Sequence, residues 1–518
     1  MKSKKLYFFM IVTFLIISPL SLLIFEVYAE DYNPIYIHLS WQNDTSSTMT
    51  VSWKTKDATS SVVQYGTDES YGNEETGDSV EWHHVELTGL SPEIIYHYRV
   101  GNGETWSTDS YFKTGTLGDH AKFIALGDTQ SGTTARNQML RKINNLDIDF
   151  ALYSGDFVEM GSNINEWNGF LNSYEPFTNH IPMMTTLGNH EKNHSIYYNT
   201  FALPGNEEYY SFNFGPVHFS ILHTYWEGIE NENYTKQIDW LITDLEAHDE
   251  YDWNVVMMHR PPFSSFVRYH QGWYDLINES FVPIFEQYEI DLVLTGHEHA
   301  YERLYKNNVT YIISGGAGAN LYDAIKDYRI NESISVESTY NFLFLDVYDK
   351  QLDVRGFRPD YSLIDQFISN KENKPDLRCE NLPLSLDVHW KDTQKVNITI
   401  ANNGEEDIIQ ETKAQVEVSD GSSWDLTVPA LNKGEKTLFE LEWKPPEKGT
   451  FAWTVTVDSD SEIDEVVEEN NELIFVFNAV KIEGASFFAD GPWSIFGVIS
   501  SIMIVAYVTL RRRKKTLQ

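Results

Sequence analysis

One cysteine, Cys379, is all that the 518-residue chain holds, so no intrachain disulfide can form and the fold must stand on hydrophobic cores without covalent staples. Basic residues are also scarce. Against 77 Asp and Glu there are 38 Lys and Arg, a formal charge of -39, which excludes a nucleic-acid partner because phosphate backbones are held by cationic surfaces. Long apolar runs are missing from the body of the chain and confined to its ends. Lys2, Lys4 and Lys5 precede a run from Leu6 to Phe25, and Val27-Tyr28-Ala29 offers a small-residue cleavage site, so residues 1–29 read as a secretory signal peptide. At the other end an uncharged stretch over 493–510 runs into Arg511, Arg512, Arg513, Lys514 and Lys515, which reads as a transmembrane helix followed by a basic cytoplasmic tail at 511–518. The expected location is the cell membrane, single-pass, with an extracellular ectodomain and a cytoplasmic C-terminus. Glycosylation sequons start at Asn43, Asn193, Asn233, Asn278, Asn308, Asn331 and Asn397.

The length exceeds what one core fills, and the hydrophobic pattern changes twice along it. Residues 31–116 show short alternating strands such as Thr48-Met-Thr-Val-Ser-Trp53 and Ile95-Tyr-His-Tyr-Arg-Val100, the pattern of a β-sandwich; His83 and His84 are expected on a strand surface. Over 120–362 apolar strands alternate with helices, giving an α/β domain with a helix near 135–145, a hairpin at 210–223 and a helix near 235–248. A linker at 363–375 leads to a second all-β module at 376–479, with alternation in Lys395-Val-Asn-Ile-Thr-Ile-Ala401 and Phe451-Ala-Trp-Thr-Val-Thr-Val457. Its acidic tail at 458–471 offers oxygen ligands for calcium, although the spacing departs from an EF-hand loop and a solvated loop is the alternative.

Five short motifs in the α/β region each close an apolar strand: Leu126-Gly-Asp128, Ser154-Gly-Asp156, Leu187-Gly-Asn-His-Glu191, Val256-Met-Met-His259 and Thr295-Gly-His-Glu-His299. Open α/β sheets build their sites at such strand ends. A single Gly-Asp is a common turn dipeptide, but the ordered set collects carboxylates, an amide and imidazoles, a mixed oxygen and nitrogen set that suits Fe, Zn or Mn. The order of these motifs resembles that of the calcineurin-like metallophosphoesterases. The runs His259-Arg-Pro-Pro262, Gly296-His-Glu-His-Ala-Tyr-Glu-Arg303 and Tyr311-Ile-Ile-Ser-Gly-Gly-Ala317 further resemble the purple acid phosphatases. Residues 31–116 resemble that family's fibronectin III-like N-terminal domain, and the C-terminal module resembles the CARDB domains of surface proteins.

The resemblance implies a multidomain fold: β-sandwich, then an α/β metallophosphoesterase domain of layered αββα form, then β-sandwich, with the C-terminal transmembrane helix. It implies two metal ions per chain, one held by Asp128, Asp156 and His299 and the other by Asp156, Asn189, His259 and His297, with Asp156 as bridge. Such a pair hydrolyses phosphate monoesters with a metal-bound hydroxide as nucleophile. His190 matches the histidine that binds phosphate and protonates the leaving group, with Glu191 as its orienting partner. Two departures stand out. Glu159 occupies the place of the tyrosine that gives the family its colour, so the chromophore is expected to be absent, and Gln130 replaces a histidine of other calcineurin-like enzymes; Gln130, Glu159 or water completes the first site. The substrate-side histidines align with Arg268 and His270. A phosphodiesterase or nucleotidase is the alternative, with Tyr225, Trp226, Trp273 and Tyr274 as candidate base-stacking rings, and an inactive surface scaffold engaging a protein or glycan is the bland one. Expected partners are a small phosphorylated substrate and the membrane, through the C-terminal helix.

Overall fold

The computed structural model describes residues 33–131, 133–224, 231–266, 272–322, 329–381 and 385–480. The expected signal peptide, membrane span and basic tail lie outside the described residues, as do Tyr225, Trp226, Arg268 and His270. Among the described residues no helix is long and apolar enough to cross a membrane.

The N-terminal domain is built from β1 (Ile35–Ser40), β2 (Met49–Gly66), β3 (Asn73–Leu87), β4 (Ile95–Gly101) and β5 (Ser110–Lys113). The expected sandwich forms as one five-stranded sheet: β1 and β4 take the same edge of the long β2 in succession, against Thr50–Lys54 and then Val62–Gly66, with bulges between Lys54 and Ser61. His83 is not on the surface. Its ring lies flat on Trp53, 4.6 Å between centroids, and both nitrogens bond hydroxyls, those of Thr55 and Ser61. Burial pushes its imidazole down to about 4.

The central domain contains β6 (His120–Leu126), β7 (Phe150–Tyr153), β8 (Met183–Thr185), β9 (Tyr210–Phe214), β10 (Val217–Leu222), β11 (Trp253–Met258), β12 (Leu292–Thr295), β13 (Tyr301–Lys306), β14 (Val309–Ser314), β15 (Ser333–Glu337), β16 (Phe342–Tyr348), β17 (Gln351–Phe357) and β18 (Leu363–Asn370). They make two sheets, of order β18-β17-β16-β6-β7-β8 and β15-β13-β14-β12-β11-β10-β9. Strand alternation decides how the sheets stack. Val255, Met257, Leu292 and Leu294 face the core between the sheets, while Val256, Met258 and Val293 pack into the outer core, with Leu241 and Leu245 of the helix Asn231–Ala247 and Ile277 of Gly272–Ser280. On the opposite flank the helix Ile164–Thr178 starts where the Asn163 side chain accepts from Asn165 N–H, and buries Trp167, Phe170, Leu171, Tyr174 and Phe177 on one stripe. The expected helices are present at Thr133–Ile143 and Asn231–Ala247, and β9 with β10 is the expected hairpin. The stretch from Leu363, expected to begin the linker, is instead β18, an edge strand whose polar sequence conceals its pairing with β17.

The C-terminal module is a true two-sheet sandwich, β19-β21-β24 facing β20-β26-β25-β22-β23, made from β19 (Leu377–Cys379), β20 (Ser385–His389), β21 (Gln394–Asn402), β22 (Thr412–Val418), β23 (Ser423–Val428), β24 (Lys436–Trp443), β25 (Gly449–Thr456) and β26 (Glu472–Val480). Trp443, Trp453, Phe475 and Phe477 fill its middle. In the acidic tail, Asp458 accepts from Thr412 Oγ1 and Ile463 N–H, and Glu465 from Leu377 N–H and Asn471, so these carboxylates are taken up by the chain itself. Among the described residues no trio of acidic or imidazole groups converges there.

The module docks on the central domain through buried charge. Arg378 Nη2 donates to Asp346 Oδ2 at 2.6 Å and Nη1 to Gln351 Oε1 at 3.1 Å, while Asp376 accepts from Gln351 and Asn470. Asp346 pairs in register with Lys122 of β6, toward the end of the sheet remote from Leu126. Burial alone would raise the Asp346 carboxyl, but Arg378 and His120 outweigh it and hold it far below the usual carboxylate range. A depressed folded-state value means that this contribution is complete above the unfolded value of 3.8 and is lost as pH falls below it. Thermal unfolding is expected to drop in temperature below about pH 4. Arg378→Met is expected to cost about 3 to 5 kcal/mol at neutral pH, because it strands a buried carboxylate, and to flatten that acid-side drop. An Arg378→Met chain that melts as the native one does, at neutral pH and below pH 4 alike, would contradict the docking account.

Candidate metal centre

The motif glycines have a steric reason. A Cβ at Gly188 would lie 2.1 Å from Asp156 Oδ1, and one at Gly296 would lie 2.3 Å from Asp128 Oδ2. Ligand carboxylates therefore press against the neighbouring loops where a side chain would stand. Three of the expected ligands also sit in left-handed backbone, Asp128 (φ 63°), Asp156 (φ 57°) and His297 (φ 69°), a strained state that clusters at functional turns.

All six expected ligands come together at the strand ends, five of them buried and Asn189 half-buried. His259 continues the alternation of β11 toward the space between the sheets; its Nδ1–H donates to Ser154 O at 2.7 Å and turns Nε2 inward. That Nε2 lies 3.3 Å from Asp156 Oδ2, 3.1 Å from Asn189 Oδ1 and 3.2 Å from His297 Nδ1. Asp156, His259 and His297 offer one ligand atom each, all within 4.8 Å of one another. The other half of the site gathers about His299, whose Nδ1–H donates to Asn320 O at 2.7 Å and whose Nε2 is 3.6 Å from Asp128 Oδ1 and 3.0 Å from Gln130 Nε2. His297 N–H donates to Asp128 Oδ2 at 2.8 Å.

These residues fit cations. Asp128 Oδ1 and Gln130 Oε1 are buried acceptors with no hydrogen-bond donor, and two ring nitrogens 3.2 Å apart repel unless a proton or metal lies between them. Burial, then the charge of Asp156, pushes the Asp128 carboxyl well above its usual range. Burial alone would raise Asp156 as well, but His259 beside it outweighs this and holds it below that range.

His190 lies at the mouth, 27 % exposed, with Nε2 3.9 Å from Asp156 Oδ2. Glu191 does not orient it, contrary to expectation: the imidazole Nδ1–H donates to Glu159 O at 2.8 Å. Glu191 is buried and turns the other way, accepting from the backbone N–H groups of Asp156, Phe157 and Gly188 at 2.8 to 2.9 Å. It ties the second and third motif loops together. Burial and Asp156 push its carboxyl up to about 8, against backbone donors that favour the ionised form. Glu159 faces outward, its side chain 52 % exposed, so of the two residues expected to complete the first site the structure brings in Gln130 and leaves Glu159 out. Tyr274 is core, its hydroxyl donating to buried Glu298 between the two histidine ligands. Sequence reasoning missed Tyr322, whose ring stacks on His299 at 4.1 Å; it stands in an irregular loop after β14, where no periodicity marks it. A second cluster, His218, Asp244 and His248, is organised by its own hydrogen bonds, with Asp244 accepting from Ser211, Ser220 and His218.

Paired carboxylates, an amide and imidazoles at the strand ends of two stacked sheets define a metallophosphoesterase, and residues 121–301 match the calcineurin-like phosphoesterase family model. Residues 34–114 match the N-terminal domain of purple acid phosphatases and residues 374–475 match CARDB. Acid phosphatase type 7 of Danio rerio is 30% identical over 324 residues, covering 52% of this chain and 71% of that protein. Purple acid phosphatase 15 of Arabidopsis thaliana is 29% identical over 382 residues, covering 59% and 70%. The purple acid phosphatase PPD1 from yellow lupin (Lupinus luteus) seeds shares the fold with a TM-score of 0.55 at 20% identity, over 65% of this chain and 74% of that one. The chain belongs to the purple acid phosphatase family, and is a phosphoesterase with a binuclear metal centre.

Proposed function

We propose that this enzyme hydrolyses phosphate monoesters of small molecules at the outer face of the cell membrane. The observation that carries the reading is the convergence of Asp128, Asp156, Asn189, His259, His297 and His299, with the imidazoles of His259 and His299 anchored through Nδ1. Asp128, Asp156 and His299 would hold one ion, and Asp156, Asn189, His259 and His297 the other. Such a pair supplies charge against the phosphoryl oxygens and activates water for in-line attack. The chain's own residues do the rest. Glu191 fixes the loops that present Asp156 and Asn189, since its carboxylate bonds Asp156 N–H and Gly188 N–H. His190, held by the Glu159 carbonyl, passes a proton from Nε2 to the departing ester oxygen.

The outward location rests on the apolar ends and the basic cluster of the sequence. Rates on an aryl phosphate monoester and on the matching diester test the substrate class. The monoester is expected to be turned over the faster; a preference for the diester would move the reading to a phosphodiesterase or nucleotidase.

A further inference from the structure

The first metal has three protein ligands in the reading above, and one of the residues expected to complete it, Glu159, faces away. A different oxygen stands there. Beyond β14 the chain folds back over His299: Asn320 O accepts from His299 Nδ1–H, and two residues on, Tyr322 N–H donates to His299 O at 3.0 Å. The Tyr322 ring lies nearly parallel to the His299 imidazole, 4.1 Å between centroids at 15°, and its hydroxyl oxygen is 3.3 Å from His299 Nε2. The loop is pinned from below by Ser338 Oγ, which donates to Tyr322 O. Around that one nitrogen therefore meet Asp128 Oδ1 at 3.6 Å and Gln130 Nε2 at 3.0 Å, both from the loop after β6, and the phenol at 3.3 Å from the loop after β14.

We propose that Tyr322 is a ligand of the first metal, its phenol oxygen joining Asp128, Asp156 and His299 and releasing its proton to solvent when the ion binds. The inference rests on the two-metal reading. Its chemistry is that of a hard anionic oxygen, which draws the first site toward Fe(III) or another hard, highly charged ion, while the second site with the imidazoles of His259 and His297 suits Zn(II). It also reverses an expectation from the sequence: a phenolate on ferric iron absorbs visible light, so the iron-loaded protein is coloured despite Glu159.

The full chain, stripped with a chelator, is titrated with Mn(II) as native protein, Tyr322→Phe and Asp128→Asn. Phenylalanine keeps the ring stack, so the metal-free Tyr322→Phe chain melts as the native one does. It is expected to lose at least about tenfold in affinity at one of two sites, the site that Asp128→Asn also weakens, while the other titrates unchanged. Reloading with ferric ion gives the native protein a visible band that Tyr322→Phe lacks. Two sites of native affinity in Tyr322→Phe, or the same spectrum in both, overturn the assignment. Failure of the native chain itself to bind a pair of ions overturns the two-metal reading instead.

Discussion

Asp156→Asn is expected to abolish hydrolysis and to leave the protein short of both ions. The substitution keeps the shape of the side chain and leaves an oxygen to accept from His190 N–H, as Oδ1 does at 2.9 Å, so the loop has no reason to refold. What it removes is the negative charge facing His259 Nε2 at 3.3 Å, which in the proposed two-ion arrangement both ions would share. Outer partners of metal ligands typically cost about 10- to 100-fold in affinity or activity when removed, and a bridging ligand is expected to exceed that. Elemental analysis beside a rate measurement checks it: retained activity, or loss of one ion only, would refute the bridging role.

His190→Ala is expected to behave in the opposite way, holding both ions while turnover falls by about 10²- to 10⁴-fold, the range for a lost general acid. The side chain is partly exposed and bonds only the Glu159 carbonyl at short range, so its loss leaves the ligand loops in place. A proton donor matters most when the departing group is a poor one. Alkyl phosphates should therefore lose far more rate than nitrophenyl phosphate, and an equal loss on both would assign His190 to phosphate binding alone.

The ligand set was legible in the sequence because the chemistry left an apolar strand before each motif and, in four of the five, a glycine as a second mark. The structure gives the reason for the glycines at 188 and 296, where carboxylate oxygens occupy the space of a Cβ. The fold was legible for a similar reason, since strands such as β11 and β12 are buried on both faces and read as continuous apolar runs. What escaped notice depends on direction, not on residue type. Glu191 adjoins His190 in sequence yet turns into the loop backbone, and Tyr322 reaches His299 across a loop of no regular pattern. His83 looked like a surface residue because alternation was read without Trp53, the cross-strand neighbour that buries it. The polar edge strand β18 passed for a linker because edge strands carry a weak apolar signal.

The central claim is that six side chains, His259 and His299 among them with their ring positions set by Ser154 O and Asn320 O, form a two-ion hydrolytic site. Metal content measured by elemental analysis on the active protein, before and after chelation, tests it most directly. The account predicts about two transition-metal ions per chain, activity lost with them and recovered on their return. Full hydrolysis of a phosphate monoester by a chain carrying no metal would contradict it.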